Sequence, residues 1–96
     1  MKFPDWTRKE SFLICNHVNG SKIVEQDGYL LTDAWRYEEG GQIYLNGMLV
    51  GSGRSGHEGT YDHDCNFIPV KKGDLIEVYR SYAYAGAYIY FMPFRR

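Results

Sequence analysis

Apolar and polar side chains alternate with a period of two along most of this chain, and turn-forming residues interrupt the alternation at short intervals. Period two places successive side chains on opposite faces of an extended chain, which is the pattern of a half-buried β-strand. Glycine, asparagine and proline recur between the runs, as expected for tight connections between strands. The pattern predicts about eight strands, over residues 11–18, 22–25, 29–35, 42–45, 48–50, 65–70, 74–80 and 87–92.

One connection is specific enough to predict its local geometry. Asn46-Gly47 separates two short apolar runs, and this dipeptide is the strongest short-range signal for a two-residue type I′ hairpin. Ile43 and Leu45 should then share one face of their strand, with Tyr44 on the opposite face.

The other connections are predicted from their glycines and prolines. Asn19-Gly20 closes the first run and favours a tight hairpin, and residues 38–41 should form the turn before the fourth run. Pro69 cannot donate to a strand ladder, which predicts that its strand lies at a sheet edge. Residues 51–60 carry four glycines and no large apolar side chain, so we expect an exposed, mobile loop.

Short strands at this spacing, with no stretch of helical period, predict an all-β fold. We expect an antiparallel two-sheet sandwich that is jelly-roll-like. The length of 96 residues fits one domain, with residues 1–9 as a lead-in segment and residues 10–96 as the sandwich.

Composition and charge remove several classes of function. The net charge of −1 leaves no basic excess to neutralise phosphates, so we expect no nucleic-acid partner. No apolar run is long enough for a membrane-spanning helix, so we expect no membrane insertion, and the N-terminus lacks the apolar region of a secretory signal.

Cys15 and Cys65 lie far apart without metal-type spacing. A single disulfide is the alternative, but two buried reduced thiols fit a protein made in the cytoplasm better.

The order of these segments resembles the small β-sandwich modules of bacteriophage tail, baseplate and tail-fibre proteins. The segments that carry the resemblance are 27–30, 42–47, 67–78 and 87–94. Such modules are similar to the jelly-roll heads of the C1q and tumour-necrosis-factor class and are commonly trimeric. The resemblance implies a non-enzymatic virion protein of the phage tail that forms a homo-oligomer, with a trimer favoured, and contacts other virion proteins. It also implies possible contact with a host cell-surface saccharide, and residues 3–6 would join the head to a shaft.

Nine tyrosines exceed the needs of a small core, so some should lie on the surface or at an interface. In the last run, Ile89 and Phe91 take one face, while Tyr88, Tyr90 and Met92 take the other. We expect the face without hydroxyl groups to be core and the tyrosine face to point outward, as a subunit interface or a saccharide platform. The alternative is a second layer that buries these rings. The candidate interface or ligand residues are Trp35, Tyr79, Arg80, Tyr82, Tyr84, Tyr88 and Tyr90.

An enzyme or metal protein is the third hypothesis. The weak metal candidates are His57, Asp62, His63 and Asp64, but a zinc or calcium site needs several such ligands to converge, and a solvated polar loop that enters a strand explains them better. We therefore expect no metal and no cofactor. Cys15 lies in an apolar run, so an inert core thiol is favoured over a nucleophile paired with His17. No catalytic residues are predicted. A carbohydrate-binding module that uses exposed aromatic rings and the glycine-rich loop remains the alternative function.

Overall fold

The computed structural model describes residues 2–16, 18–37, 39–52, 61–80 and 86–95, with side chains for all of these except 35–37, 39–40, 52, 61–64 and 80. A short 3-10 helix, Trp6–Arg8, comes first. The strands that follow are β1 (Glu10–Cys15), β2 (Gly20–Ile23), β3 (Gly28–Tyr37), β4 (Glu39–Leu45), β5 (Met48–Ser52), β6 (Tyr61–Val70), β7 (Leu75–Arg80) and β8 (Gly86–Pro93).

These strands form two antiparallel sheets of four. The first sheet has the order β1-β8-β3-β6, and the second has the order β2-β7-β4-β5. Their pairing is nested, because β1 pairs with β8, β2 with β7, β3 with β6 and β4 with β5. A long antiparallel ribbon folded back on itself gives this arrangement, which is that of a jelly roll. The predicted all-β jelly-roll sandwich is confirmed.

One hydrophobic core lies between the two sheets. Leu30 and Ile89 of the first sheet and Ile43 and Ile76 of the second sheet are fully buried in it. Complete burial of a side chain of this size contributes roughly 1.5–3 kcal/mol to stability. Among the side chains that the structure describes, Thr32 is the buried polar one, and its hydroxyl donates to the Asn66 carbonyl.

The hairpin between β4 and β5 has the predicted geometry. Asn46 and Gly47 have φ angles of 50° and 85°, the positive values that a type I′ turn requires. Ile43 is buried and Leu45 packs against the core, as predicted. Tyr44 lies on the opposite face, half-buried.

The predicted hairpin at Asn19-Gly20 is wrong. β1 ends at Cys15 and pairs with β8, whereas Gly20 already begins β2, which pairs with β7 in the other sheet. This connection therefore crosses from one sheet to the other, and a two-residue hairpin cannot do so. Among the residues that the structure describes, only Asn46, Gly47 and Gly73 have a positive φ.

Three further connections can be compared with the sequence predictions. The turn expected over 38–41 is shorter, since β4 already begins at Glu39 and pairs with Tyr37. The first two residues of the expected 51–60 loop belong to β5, and residues 53–60 lie outside the described residues. β6 is an edge strand, as Pro69 predicted, because it pairs only with β3 in the first sheet.

Candidate functional site

Outward-facing side chains of the first sheet form an apolar, ring-rich surface. Tyr88 and Tyr90 of β8 lie opposite Asp33 and Leu31 of β3, and Leu31 in turn lies opposite Phe67 of β6. Directly paired residues share a sheet face, so these side chains all point away from the core. Six of the outward side chains make a surface that we name the aromatic face, with the polar Asp33 beside it: Trp6, Ile14, Tyr29, Phe67, Tyr88 and Tyr90.

Three rings of the aromatic face are stacked in a row. The Tyr29 and Phe67 ring centroids are 4.7 Å apart with an angle of 16° between the ring planes. Trp6 continues the row, 5.8 Å from Phe67 at an angle of 12°. Such offset stacks are favourable beyond their buried area, so the rings hold one another in place. The row presents flat apolar surface to solvent at its Trp6 end, where that side chain is 58% exposed.

The N-terminal segment is bound to this side of the first sheet. The Asp5 backbone N–H donates to the Pro93 carbonyl over 2.8 Å, and Pro4 forms a bridge with Phe94. The Asp5 carboxylate caps the 3-10 helix by accepting from the Thr7 backbone N–H at 3.0 Å and from Arg8 Nε at 2.8 Å. Side-chain hydrogen bonds from Thr7 and Arg8 lower the pKa of Asp5 to about 2.

The predicted faces of β8 are confirmed for the residues that face the core. On the outward face the prediction is wrong at one position. Ile89 and Phe91 are buried in the core, while Tyr88 and Tyr90 point outward and are half-buried. Met92 has the same parity as those tyrosines, yet it is fully buried. It lies opposite Tyr29 and next to Pro93, whose carbonyl accepts from Asp5 of the N-terminal segment.

Cys15 and Cys65 form no disulfide and lie in different environments. Cys15 is buried in the core, as expected, and burial raises the pKa of its thiol. Cys65 is exposed, so the prediction of a second buried thiol is wrong. The reason is its parity on β6, since Cys65 points to the same side as Phe67.

The structure brings only part of the predicted tyrosine cluster together. Tyr88 and Tyr90 lie on the aromatic face, but Tyr79 belongs to β7 in the second sheet, where it is exposed beside the buried Val78. Tyr79 and the β8 tyrosines therefore do not share a surface, because β7 lies in the second sheet and β8 in the first.

Four other interface candidates are only partly described. The backbones of Trp35 and Arg80 lie opposite Gly86 and Gly41 respectively, and their side chains lie outside the described residues. Residues 82 and 84, the remaining tyrosine candidates, are outside the described residues as well.

The weak metal candidates lie almost wholly beyond what is described. His57 is outside the described residues, and Asp62, His63 and Asp64 are placed on β6 by their backbones alone. Within the ranges that the structure describes, no group of three or more His, Cys, Asp or Glu side chains could hold a metal ion. In the same ranges, no helix has the length and apolar character needed to cross a bilayer.

Sequence reasoning missed Trp6, Tyr29 and Phe67 as members of the exposed surface. Period two in β3 separates Tyr29 and Leu31 from the buried Leu30, so the outward position of Tyr29 was available from the pattern. The position of Trp6 depends on contacts between the two ends of the chain, which no local pattern encodes.

No protein-family model and no curated protein sequence matches this chain. The jelly-roll sandwich and the surfaces it displays are therefore the basis for assigning a function.

Proposed function

We propose that this chain is a non-enzymatic structural and adhesion module of a bacteriophage virion, in a tail, baseplate or fibre. In this proposal it forms a homo-oligomer through the aromatic face, with a trimer favoured by the resemblance to phage and C1q-type heads. The assembled module contacts other virion proteins and the host surface. The support comes from the jelly-roll fold together with an exposed apolar surface on one sheet.

The observation that carries this proposal is the exposure of large apolar side chains on the aromatic face. Trp6, Ile14 and Phe67 are 58%, 45% and 42% exposed, although an outer face of an antiparallel sheet is usually polar. Contiguous exposed apolar surface of this kind marks interaction sites in soluble proteins. Aromatic side chains are enriched in the buried centres of such interfaces.

The outer face of the second sheet offers a contrast within the same molecule. It exposes Ile23, Leu49 and Tyr79, but polar side chains separate them. Gln42 lies opposite Tyr79, and Ser21 lies opposite Glu77. Because the polar positions interrupt the apolar ones, the aromatic face is the better candidate for burial between subunits.

The edge of the first sheet also favours association by a face. Pro69 has no backbone N–H, so β6 offers one donor fewer to an added strand near its end. Strand addition at β6 would therefore be weakest at Pro69, and the proposal uses packing of the aromatic face instead.

Sedimentation velocity of the full chain across a range of concentrations tests the proposal. We expect an oligomer at high micromolar concentration and dissociation on dilution. Ile14→Ser should weaken association about tenfold, since removing a buried apolar side chain from an interface costs on the order of 1–2 kcal/mol. Ile14 is chosen because it is not part of the stacked row of Trp6, Phe67 and Tyr29. Its substitution should therefore leave the N-terminal segment bound to the first sheet.

Tyr79→Ser is the matched control, because it removes an exposed ring from the second sheet and should leave association unchanged. Circular dichroism of each variant establishes that it is folded. A wild-type chain that remains monomeric at high micromolar concentration, or equal losses in the two variants, would contradict the assembly proposal.

Carbohydrate binding is the second candidate function, and the stacked row of Trp6, Phe67 and Tyr29 favours it. Flat exposed rings can pack against the C–H faces of sugars. An array of neutral glycans probed with the full chain tests this candidate, with Trp6→Ala expected to lose the signal. An array without hits would count against it, as would binding that survives Trp6→Ala together with substitution of the tyrosines at 82 and 84.

A further inference from the structure

A second surface lies at the end of the sandwich where the N-terminal segment, the β2–β3 connection, the β6–β7 turn and the C-terminal segment meet. These segments enclose an open cleft of about 630 Å³. Four cationic side chains line it, although the chain as a whole has a net charge of −1. They are Lys2, Arg8, Lys72 and Arg95.

The backbones that carry three of these cations are fixed by hydrogen bonds between distant parts of the chain. Tyr29 Oη donates to the Lys2 carbonyl over 2.7 Å, and the Arg95 N–H donates to the Phe3 carbonyl over 2.7 Å. The Lys72 N–H donates to Asp27 Oδ1 over 2.8 Å. A site whose backbone is already ordered loses less conformational entropy when a ligand binds, which favours binding.

The cations differ in how far they are already neutralised. Arg8 forms an ion pair with Asp5 at 2.8 Å and donates to the Phe94 carbonyl, so its charge is largely used within the protein. The side chains of Lys72 and Arg95 make no ion pair with any residue that the structure describes. These two side chains therefore have the charge and the donors to bind an anionic group.

The rest of the lining suits a sugar better than a bare anion. The half-buried Phe94 ring supplies apolar surface, with Lys2 Nζ 5.3 Å from its centroid. Glu25 and Asp27 also line the cleft, and their carboxylates can accept hydrogen bonds from hydroxyl groups. These carboxylates would repel a small inorganic anion. Such an anion also lacks the several hydroxyl groups that a sugar donates to them and has no apolar face to pack against the Phe94 ring.

We propose that this cleft binds an acidic saccharide, a sugar that carries a carboxylate or a phosphate. Lys72 and Arg95 bind the anionic group, Phe94 packs against the sugar ring, and Glu25 and Asp27 accept from its hydroxyls. This inference goes beyond the carbohydrate-binding candidate, because none of Trp6, Phe67 and Tyr29 lines the cleft, and it is independent of assembly through the aromatic face.

Nuclear magnetic resonance titration of the full chain with glucuronate, glucose 6-phosphate, glucose and inorganic phosphate tests the inference. We expect one or both acidic sugars to bind at least about tenfold more tightly than glucose at low salt, and to weaken as salt screens the charges. The stronger of the two identifies the anionic group. Arg95→Gln and Lys72→Gln should each weaken that binding about fivefold or more.

Lys9→Gln is the control, because Lys9 lies over the Tyr90 ring and does not line the cleft. It should leave acidic-sugar binding unchanged. Equal binding of glucose and the acidic sugars, or no binding of either acidic sugar, would overturn the inference. So would equal losses in Lys9→Gln and Arg95→Gln, or inorganic phosphate binding as tightly as glucose 6-phosphate. Sedimentation velocity of Arg95→Gln should match wild type, so failure here and failure of the assembly proposal are separate results.

Discussion

Gly28 is the first residue of β3 and packs closely against the end of β8. A Cβ atom at this position would lie 2.5 Å from the Met92 carbonyl oxygen and 2.7 Å from Cζ of the Phe91 ring. The carbonyl belongs to the backbone and the ring belongs to the core, so neither can move without disturbing the strand pair. Close approach of the two strands, rather than a special φ angle, explains glycine at this position.

Gly28→Ala is therefore expected to destabilise the fold by about 1–3 kcal/mol, the usual cost of forcing an extra carbon into a packed site. Gly51→Ala is the matched control, since Gly51 is also a buried strand glycine and its added Cβ would have no neighbour closer than 3.4 Å. Urea unfolding of both variants measures the effect. Equal midpoints for the two variants would show that the close approach at Gly28 does not constrain the sheet.

At the scale of elements, the chain carries Asn-Gly twice with different results. Asn46-Gly47 forms the predicted type I′ hairpin, because the strands on either side of it pair with each other. Asn19-Gly20 does not, because β1 and β2 belong to different sheets. The dipeptide permits a tight turn, but the partner of each strand is decided by long-range packing that a local pattern does not contain.

At the candidate site, too, the local pattern predicted some features and long-range packing decided others. Alternation along β8 correctly predicted that Ile89 and Phe91 face the core and that Tyr88 and Tyr90 face outward. It failed at Met92, which is fully buried at the end of β8, where the two ends of the chain are hydrogen-bonded to each other. The face of each residue within a strand was thus predictable, whereas the elements that cover an outward face were not.

The 3-10 helix and its Asp5 cap form an element whose stability should depend on pH. The pKa of Asp5 lies at about 2, below its ordinary value of 3.8, because Thr7 and Arg8 donate to the carboxylate. A lowered pKa means that the carboxylate stabilises the folded state above pH 3.8 and that this contribution is lost as the pH falls towards 2.

The backbone N–H of Thr7 donates a hydrogen bond to Asp5 Oδ1, so its proton chemical shift reports this titration by nuclear magnetic resonance. We expect its chemical shift to change with a midpoint near 2, and the Asp5→Asn variant to lose the transition. A midpoint near 3.8 would show that the capping interactions do not persist in solution.

At the scale of the whole molecule, the nested strand pairing leaves two outer sheet faces of different character. The second sheet alternates apolar and polar positions, while the first sheet groups its exposed rings with Ile14 on the aromatic face. A single exposed thiol, Cys65, lies on the same side of β6 as Phe67 and so reports on whether that face is covered. Cys15 is buried and should not compete for a thiol reagent.

The rate at which a maleimide modifies Cys65, measured as the concentration of the full chain is raised, tests burial of the aromatic face most directly. The proposed assembly predicts that the rate constant falls as the oligomer forms. It also predicts that a Cys65→Ser, Tyr79→Cys double variant, with its thiol on the second sheet, reacts at the same rate throughout. A Cys65 rate constant that does not change with concentration would contradict the account.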